Sequence, residues 1–249
     1  MTAPLLDVQD VHVSFDGIKV LDGLSLQLAS DELRFLIGPN GAGKTTLIDV
    51  VSGKTRPQAG MVRFAGHNVL RLEPHVLAKR GLGRKFQTPA VFSSLTVREN
   101  LLAAGGSHER GMDLLFPARA RIRDKVSDVS DLTGLAARQH DKAGELSHGQ
   151  QQWLEIGMLL MQDPKLLLLD EPVAGLTRAE RDRTSDLLHQ VKERCAILIV
   201  EHDMAFVRLF DATVTVLHQG RVLVEGPMTA VQNDERVIDV YLGRTEDAA

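Results

Sequence analysis

The feature that most constrains the fold is a glycine-rich stretch, GPNGAGKTT, at residues 38–46. It follows an apolar run at residues 33–37, typical of a buried strand, and it precedes a helical pattern at residues 47–52. The spacing G-x-x-x-x-G-K-[ST] between a strand and a helix is the pattern of a phosphate-binding loop. Glycines let several backbone N–H groups face one anion, and the start of the helix adds partial positive charge there.

The residues of this loop predict a site for a nucleotide and a magnesium ion. Lys44 is expected to reach the β- and γ-phosphates, and the hydroxyl of Thr45 is expected to ligate Mg²⁺. A glycine-rich turn with an incidental lysine is the alternative, and both flanking segments argue against it. The loop residues predicted to bind the nucleotide are Gly38, Pro39, Asn40, Gly41, Ala42, Gly43, Lys44, Thr45 and Thr46.

Composition limits the classes of protein to which the chain can belong. Its 249 residues suit one large domain, and the 43% of hydrophobic residues support a substantial core. A net charge of −4 gives no general attraction to nucleic acid or anionic lipid. The single cysteine excludes an internal disulfide and fits a reducing compartment. No apolar run approaches the roughly 20 residues that cross a bilayer, so we expect any membrane role to be peripheral, and we expect no signal peptide.

Two further apolar runs are predicted to end in chemically active side chains. In residues 165–172, Asp170 and Glu171 follow four leucines, a pattern typical of a strand buried on both faces. Open α/β sheets bind ligands at this strand edge. We therefore expect Asp170 to hold Mg²⁺ and Glu171 to accept a proton from the water that attacks the γ-phosphate. The run at 196–200 precedes His202, which could contact the γ-phosphate or be an ordinary loop histidine.

Three other candidates depend more on their surroundings. Phe15 ends an alternating strand pattern and could stack on adenine or be a core aromatic. Gln87 follows a short strand and precedes Pro89, so its amide could reach a metal or a metal-bound water. Ser147 and Gln150 have the spacing of a capping box, and the same helix start could instead bind a second phosphate.

The order of the predicted elements indicates an α/β fold. Residues 5–15 and 18–28 alternate apolar and polar side chains, which predicts an antiparallel β layer beside a parallel core. Residues 100–145 have helical periodicity without strand signals, so they predict a helical insertion. The basic cluster at 118–125 could be an anion-binding patch, but it is interleaved with apolar residues, which favours a solvated helix face.

Taken together, the motifs resemble the ATP-binding subunit of ABC transporters over about residues 5–244. The matches occur in the order of that family. They are Phe15 at the aromatic A-loop position, residues 38–46 at Walker A, Gln87 at the Q-loop, residues 146–150 at the signature motif, residues 166–171 at Walker B, residues 174–177 at the D-loop and His202 at the switch histidine.

This resemblance implies one ABC-type P-loop ATPase domain, residues 1–249, with a RecA-like mixed-sheet core, an antiparallel β layer and a helical subdomain. About residues 1–87 and 163–249 would form the core and the β layer, and about residues 88–162 would form the helical subdomain. ATP and Mg²⁺ are the implied cofactors. The implied catalytic residues are Glu171, His202 and Gln87, the metal ligands are Thr45, Gln87 and Asp170, and further nucleotide contacts come from Phe15, Ser147, Gly149 and Gln150.

The resemblance also implies partners and a location. Two ATPase subunits would close head to tail over ATP, with the signature motif of one subunit facing Walker A of the other. The second subunit would be a non-identical homologue, although the isolated chain could pair with itself. The pair would drive two membrane permeases, with an external solute-binding protein acting indirectly and with no nucleic acid. The location would be peripheral, on the cytoplasmic face of the inner membrane.

Two residues depart from the usual family pattern. His148 stands at a position where the signature motif usually has glycine, and Thr177 stands where the D-loop usually has aspartate. His148 adds bulk and a possible positive charge beside the partner's phosphates. We still expect hydrolysis, because Ser147, Gly149 and Glu171 are intact.

Within the family, three segments are similar to the urea-type member of the branched-chain amino acid and urea uptake group. These segments are residues 84–89, 146–160 and 231–234. We therefore expect uptake of urea or a related short amide, with branched-chain amino acid import as the alternative.

Three other functions are less consistent with the sequence. A soluble ABC ATPase acting on DNA or ribosomes usually has two fused domains or a coiled-coil insertion, and this chain has one phosphate loop and no heptad run. A GTPase would need a guanine-reading N-K-x-D segment, which is absent. A degenerate ATP binder is disfavoured because Lys44, Asp170, Glu171 and His202 are retained.

Overall fold

The computed structural model describes residues 3–85, 90–106 and 116–242. The strands are β1 (Leu6–Phe15), β2 (Ile18–Leu28), β3 (Leu33–Ile37), β4 (Ala59–Phe64), β5 (His67–Asn68), β6 (Leu82–Lys85), β7 (Leu166–Asp170), β8 (Ala196–Val200), β9 (Thr213–His218) and β10 (Arg221–Pro227). The helices are α1 (Lys44–Val51), α2 (Pro74–Lys79), α3 (Val97–Gly106), α4 (Phe116–Thr133), α5 (His148–Leu160), α6 (Arg178–Val191), α7 (Met204–Val207), α8 (Met228–Val231) and α9 (Glu235–Leu242).

A six-stranded mixed sheet forms the core, in the order β10-β9-β3-β8-β7-β6. The strands from β9 to β6 are parallel, and β10 pairs antiparallel with β9 at one edge. Every residue of β3, β7 and β8 is buried, because helices or the second sheet cover both faces. The segments that follow these three strands therefore meet at one edge of the sheet, and the mixed-sheet core expected from the sequence is confirmed.

The predicted antiparallel layer is also present, and it is larger than the two strands that the sequence indicated. Its strand order is β2-β1-β4-β5. The register of β1 shifts between Val8 and Val11 against β2, near Asp10, which has a positive φ of 48°. Apolar side chains of this layer pack with those of α1 in one buried cluster, which also includes Leu36 of β3. The layer therefore buttresses the start of α1.

Helices α3, α4 and α5 lie between β6 and β7 in the chain, and they pack closely against one another. A Cβ added at Gly157 would lie 3.1–3.2 Å from side-chain atoms of Thr133, Leu101 and Val129, so the three helices meet at this glycine. The indole N–H of Trp153 donates to the hydroxyl of Thr184 at 2.9 Å, which joins α5 to α6. Among the described residues, none of the helices has the length and apolar character needed to span a membrane.

Candidate active site

The phosphate-binding loop lies between β3 and α1, and its glycines are required by contacts with the two sheets. Gly38 and Gly43 have positive φ angles of 148° and 101°. A Cβ at Gly38 would lie 2.2 Å from the carbonyl oxygen of Leu217, and one at Gly43 would lie 2.8 Å from that of Val20. Any side chain at either position would therefore displace the loop from β9 or β2.

Lys44 is held against this loop. Its ammonium donates hydrogen bonds to the carbonyl oxygens of Gly38 at 2.7 Å and Pro39 at 2.9 Å. Burial lowers the pKa of Lys44, whereas the carboxylates of Glu171 and Asp170 raise it. The cation therefore lies against the loop and interacts electrostatically with the two acidic residues that follow the leucine run.

A cavity of about 260 Å³ lies over the loop and brings most of the predicted phosphate-binding residues together. Glu171 after β7, Val200 of β8 and Val20 of β2 form part of its wall. This is a polar recess of the size that suits part of a nucleotide rather than a large apolar ligand. The loop residues that line it are Asn40, Gly41, Ala42, Gly43, Lys44, Thr45 and Thr46.

Asp170 has the properties of a metal ligand. Its side chain is buried, and burial, followed by the nearby charge of Glu171, raises its pKa. Within the described part of the chain, its buried Oδ1 accepts no hydrogen bond. Leaving a buried acceptor unpaired is unfavourable by about 1–3 kcal/mol or more, so a cation would satisfy this oxygen.

Magnesium at Asp170 stays a prediction, and the described surroundings of this residue are consistent with it. The described residues contain no group of three or more His, Cys, Asp or Glu side chains that could hold a metal. Mg²⁺ in nucleotide sites is typically held by one or two carboxylates together with substrate phosphates and water. Thr45 is exposed and lines the neighbouring cavity, so its hydroxyl is available for this purpose.

Glu171 and His202 lie side by side at the same edge of the sheet. Nδ1 of His202 is 3.3 Å from Oε1 of Glu171. Glu171 has a φ of 48°, a left-handed conformation that is uncommon outside glycine, and its N–H donates to the carbonyl of Val200 at 2.9 Å. Strained backbone of this kind clusters at functional sites. The structure therefore brings the predicted base and the predicted histidine into contact.

Two predicted residues are not joined to this group. Gln87 lies outside the described residues, so its role stays a prediction. Phe15 is half exposed at the end of β1, where it pairs with Ile18 of β2, and it is not among the residues that line the cavity. The contact of Phe15 with adenine therefore also stays a prediction.

The predicted signature residues form the start of α5, and the capping box is confirmed. The hydroxyl of Ser147 accepts from the N–H of Gln150 at 3.3 Å, and Oε1 of Gln150 accepts from the N–H of Ser147 at 3.0 Å. The same hydroxyl donates to Oε1 of Glu180 at 3.0 Å. A Cβ at Gly149 would lie 2.6 Å from that oxygen. The carboxylate of Glu180 therefore occupies the position in front of the helix start at which a phosphate was predicted.

His148 and Thr177, the two departures from the family pattern, lie in this same cluster. Nε2 of His148 is 2.9 Å from the amide nitrogen of Gln152, and a Cβ added at Gly175 would lie 3.8 Å from the His148 ring. The hydroxyl of Thr177 accepts from the N–H of Glu180 at 3.3 Å and donates to its carboxylate at 2.9 Å. Threonine and aspartate both serve as N-cap residues, so Thr177 starts α6 without the usual aspartate.

The sequence patterns did not reveal a group of buried charged side chains, formed by Lys85, Glu155 and Glu201. Lys85 is completely buried at the end of β6, with Nζ 3.9 Å from Oε2 of Glu155 on α5. Burial lowers the pKa of Lys85, and the carboxylates of Glu155, Asp170 and Glu201 raise it. Each residue could have been noticed as a charge in an apolar context. Lys85 and Glu201 lie at the ends of predicted strands, and Glu155 interrupts the apolar pattern of α5.

The class of protein follows from this edge of the sheet, where a phosphate loop faces a buried carboxylate and a glutamate–histidine pair. It is the arrangement of a P-loop nucleoside triphosphate hydrolase. Comparison with known families gives the particular family. Residues 21–174 match the ABC transporter family, and residues 221–247 match the branched-chain amino acid ATP-binding cassette transporter family. The chain belongs to the ABC transporter family, as an ATP-binding subunit whose hydrolysis of ATP is coupled to transport.

Similar proteins and structures agree over nearly the whole chain. The high-affinity branched-chain amino acid transport ATP-binding protein BraF of Pseudomonas aeruginosa is 34% identical, with 98% of this chain and 99% of BraF covered. LivG of Escherichia coli, which carries the same description, is 32% identical over 98% of this chain and 99% of LivG. The crystal structure of an ATP-binding cassette of an ABC transporter in its ADP conformation is 30% identical, with a TM-score of 0.83 over 97% of this chain and 100% of that one.

Proposed function

We propose that the chain is the ATPase subunit of an importer for branched-chain amino acids, the alternative stated in the sequence analysis. The observation that carries this proposal is the match of residues 221–247 to the branched-chain amino acid transporter family, because this segment lies outside the general ABC match. The descriptions of BraF and LivG support the same substrate class. Urea, our first expectation, has no support from these comparisons. It stays a second candidate through the similarity of residues 84–89, 146–160 and 231–234 to the urea-type subunit.

The chemistry proposed for one subunit uses the residues at the sheet edge. The triphosphate would lie on the loop, and Lys44 would exchange its bonds to the loop carbonyls for bonds to phosphate oxygens. Glu171 would accept a proton from the attacking water, with His202 3.3 Å away to hold that water and the γ-phosphate. Mg²⁺, held by Thr45, Asp170 and Gln87, would supply positive charge for the phosphate oxygens.

The signature residues are proposed to act on the nucleotide of a second ATPase subunit. Ser147, Gly149 and Gln150 are not among the residues that line the cavity of their own chain. Ser147 would release the carboxylate of Glu180 when a phosphate of the partner's nucleotide arrives. Residues 88–162, the proposed helical subdomain, would contact the permeases, and the subunit would lie at the cytoplasmic face of the inner membrane.

Uptake by intact cells tests this proposal. We would measure uptake of labelled leucine and labelled urea in cells carrying the chain with Glu171→Gln, which removes the proposed base. Glu193→Gln, at an exposed position after α6, is the control. Loss of leucine uptake in the first variant alone would support the proposal. Loss of urea uptake alone would move the substrate to urea, and no change in either would contradict an importer for these solutes.

A further inference from the structure

Glu201 joins the two segments that carry Glu171 and His202. It directly follows β8 and is 1% exposed. Its Oε1 accepts a hydrogen bond from the N–H of Val173 at 3.3 Å, and its Oε2 accepts from the N–H groups of His202 at 3.0 Å and Asp203 at 3.3 Å. One buried carboxylate therefore accepts three backbone hydrogen bonds from the segments that follow β7 and β8.

We infer that Glu201 is a positioning residue that fixes the distance between the carboxylate of Glu171 and the imidazole of His202. Glu171 precedes Val173 by two residues, and His202 is bonded to Glu201 through its own N–H. The N–H of Glu171 donates to the carbonyl oxygen of Val200, which holds the end of β7 beside β8. Glu201 holds the turn that follows β7 through the N–H of Val173. Glu201 itself is not assigned a contact with substrate. The inference rests on the roles proposed above for Glu171 and His202, and it does not depend on the transported solute.

Glu201 lies among other buried charged groups. Burial raises the pKa of this carboxyl above its usual value, and the three N–H donors and His202 offset only part of this effect. Lys85 is buried beside it, and the two groups interact electrostatically. Lys85 ends β6 and interacts in the same way with Glu155 on α5 and with Asp170. Glu201 and the predicted metal ligand Asp170 therefore both interact with the buried ammonium of Lys85.

Substitution by glutamine separates the positioning role from the size of the side chain. An amide has one acceptor oxygen, whereas Oε1 and Oε2 of Glu201 face donors from two different segments. In Glu201→Gln the amide nitrogen must face at least one backbone N–H. One of the two segments therefore loses its anchor, although the volume of the side chain is nearly unchanged. Glu201→Asp keeps the charge but shortens the side chain, so it cannot reach both segments.

The first measurement is the steady-state ATP hydrolysis of the assembled transporter. A small displacement of reacting groups lowers the rate by about 10²-fold, and we expect this loss in kcat for Glu201→Gln. Because the phosphate loop is untouched, we expect KM for ATP to change by less than about 3-fold. Glu201→Asp should show the same separation of kcat from KM, and Glu193→Gln should resemble the unmodified protein. Glu171→Gln is measured in parallel.

The second measurement is amide hydrogen exchange in the same variants without turnover. In Glu201→Gln, the amides of residues 171–176 and 200–206 should exchange faster than in the unmodified protein. The exchange rates of residues 6–15 should be unchanged. A kcat within about 3-fold of the unmodified protein in both Glu201 variants would overturn the inference. Equal losses in kcat and ATP affinity, with faster exchange throughout the chain, would also overturn it, because the role would then be structural. If Glu171→Gln hydrolyses ATP normally, the proposed chemistry is wrong; if only the Glu201 variants are normal, the positioning role alone is wrong.

Discussion

Lys44 is the residue that joins the loop backbone to the acidic side of the cavity. Its ammonium is bonded to two loop carbonyls and faces Glu171 and Asp170. Lys44→Ala removes a cation that is expected to form charge-assisted bonds with phosphate, each contributing about 1.5–3 kcal/mol. The affinity for ATP should therefore fall by about 10- to 100-fold, as measured by titration with a fluorescent nucleotide.

The control for this prediction is Lys79→Ala, which removes an exposed lysine at the end of α2. It should bind ATP as the unmodified protein does. An unchanged affinity in Lys44→Ala would mean that the loop does not bind the phosphates as proposed.

Cys195 is a residue for which the structure predicts low reactivity. Burial raises the pKa of its thiol to about 12. The thiolate is the reactive form of cysteine, and a raised pKa keeps this group protonated at pH 8. We expect iodoacetamide to leave Cys195 unmodified in the folded protein and to modify it after denaturation, as measured by mass spectrometry. Rapid modification of the folded protein would show that Cys195 is accessible and that this part of the core is open.

At the scale of elements, the pair Lys85–Glu155 ties the edge strand β6 to helix α5. Both side chains are buried, and their charged atoms are 3.9 Å apart. Removing one member of a buried pair typically destabilises a protein by about 3–5 kcal/mol, whereas replacing both members by apolar residues is often neutral or stabilising. We expect Lys85→Met to be strongly destabilised and Lys85→Met/Glu155→Leu to recover only part of the loss, because Asp170 and Glu201 also lose their buried cation.

Unfolding in guanidinium chloride measures this recovery through a double-mutant cycle. Lys142→Met, at an exposed position before the signature motif, is the control and should leave the free energy of unfolding nearly unchanged. Additive losses in the double variant would contradict a direct coupling between β6 and α5.

Elements with strong local signals are predictable from the sequence. The apolar runs predicted β3, β7 and β8, and the side chain of Ser147 forms the predicted capping box. The helix after the phosphate loop begins at Lys44 rather than at residue 47, because Gly43 in a left-handed conformation starts it. The short helix α7 lacks a periodic pattern and depends on its cap, Asp203.

The buried charges could not be predicted, for a topological reason. Lys85 and Glu201 lie 116 positions apart in the chain, and they approach each other because β6 and β8 flank β7 in the sheet. Local sequence gives strand identity but not strand order, so both residues resemble ordinary charged strand ends. The contact of Ser147 with Glu180 has the same origin, since it depends on how α5 and α6 pack.

At the scale of the whole molecule, one chain contains one half of each proposed composite site. The loop and Glu171 line the cavity. The signature residues lie at the start of α5 and do not line this cavity. We expect no residue of this ATP-binding subunit to contact the transported solute, so the proposed substrate class rests on similarity and not on the site. This explains why the sequence led to the ATPase activity directly, whereas urea and branched-chain amino acids had to be distinguished by similarity.

The measurement that tests the central claim most directly compares ATP binding and ATP hydrolysis in Glu171→Gln. Glutamine has nearly the same shape as glutamate but cannot accept the proton of the attacking water. Loss of a positioned base typically lowers the rate by about 10²–10⁴-fold, so we predict a loss of this size in single-turnover hydrolysis with an unchanged affinity for ATP. Hydrolysis at the rate of the unmodified protein would contradict the account, because the base would then lie elsewhere.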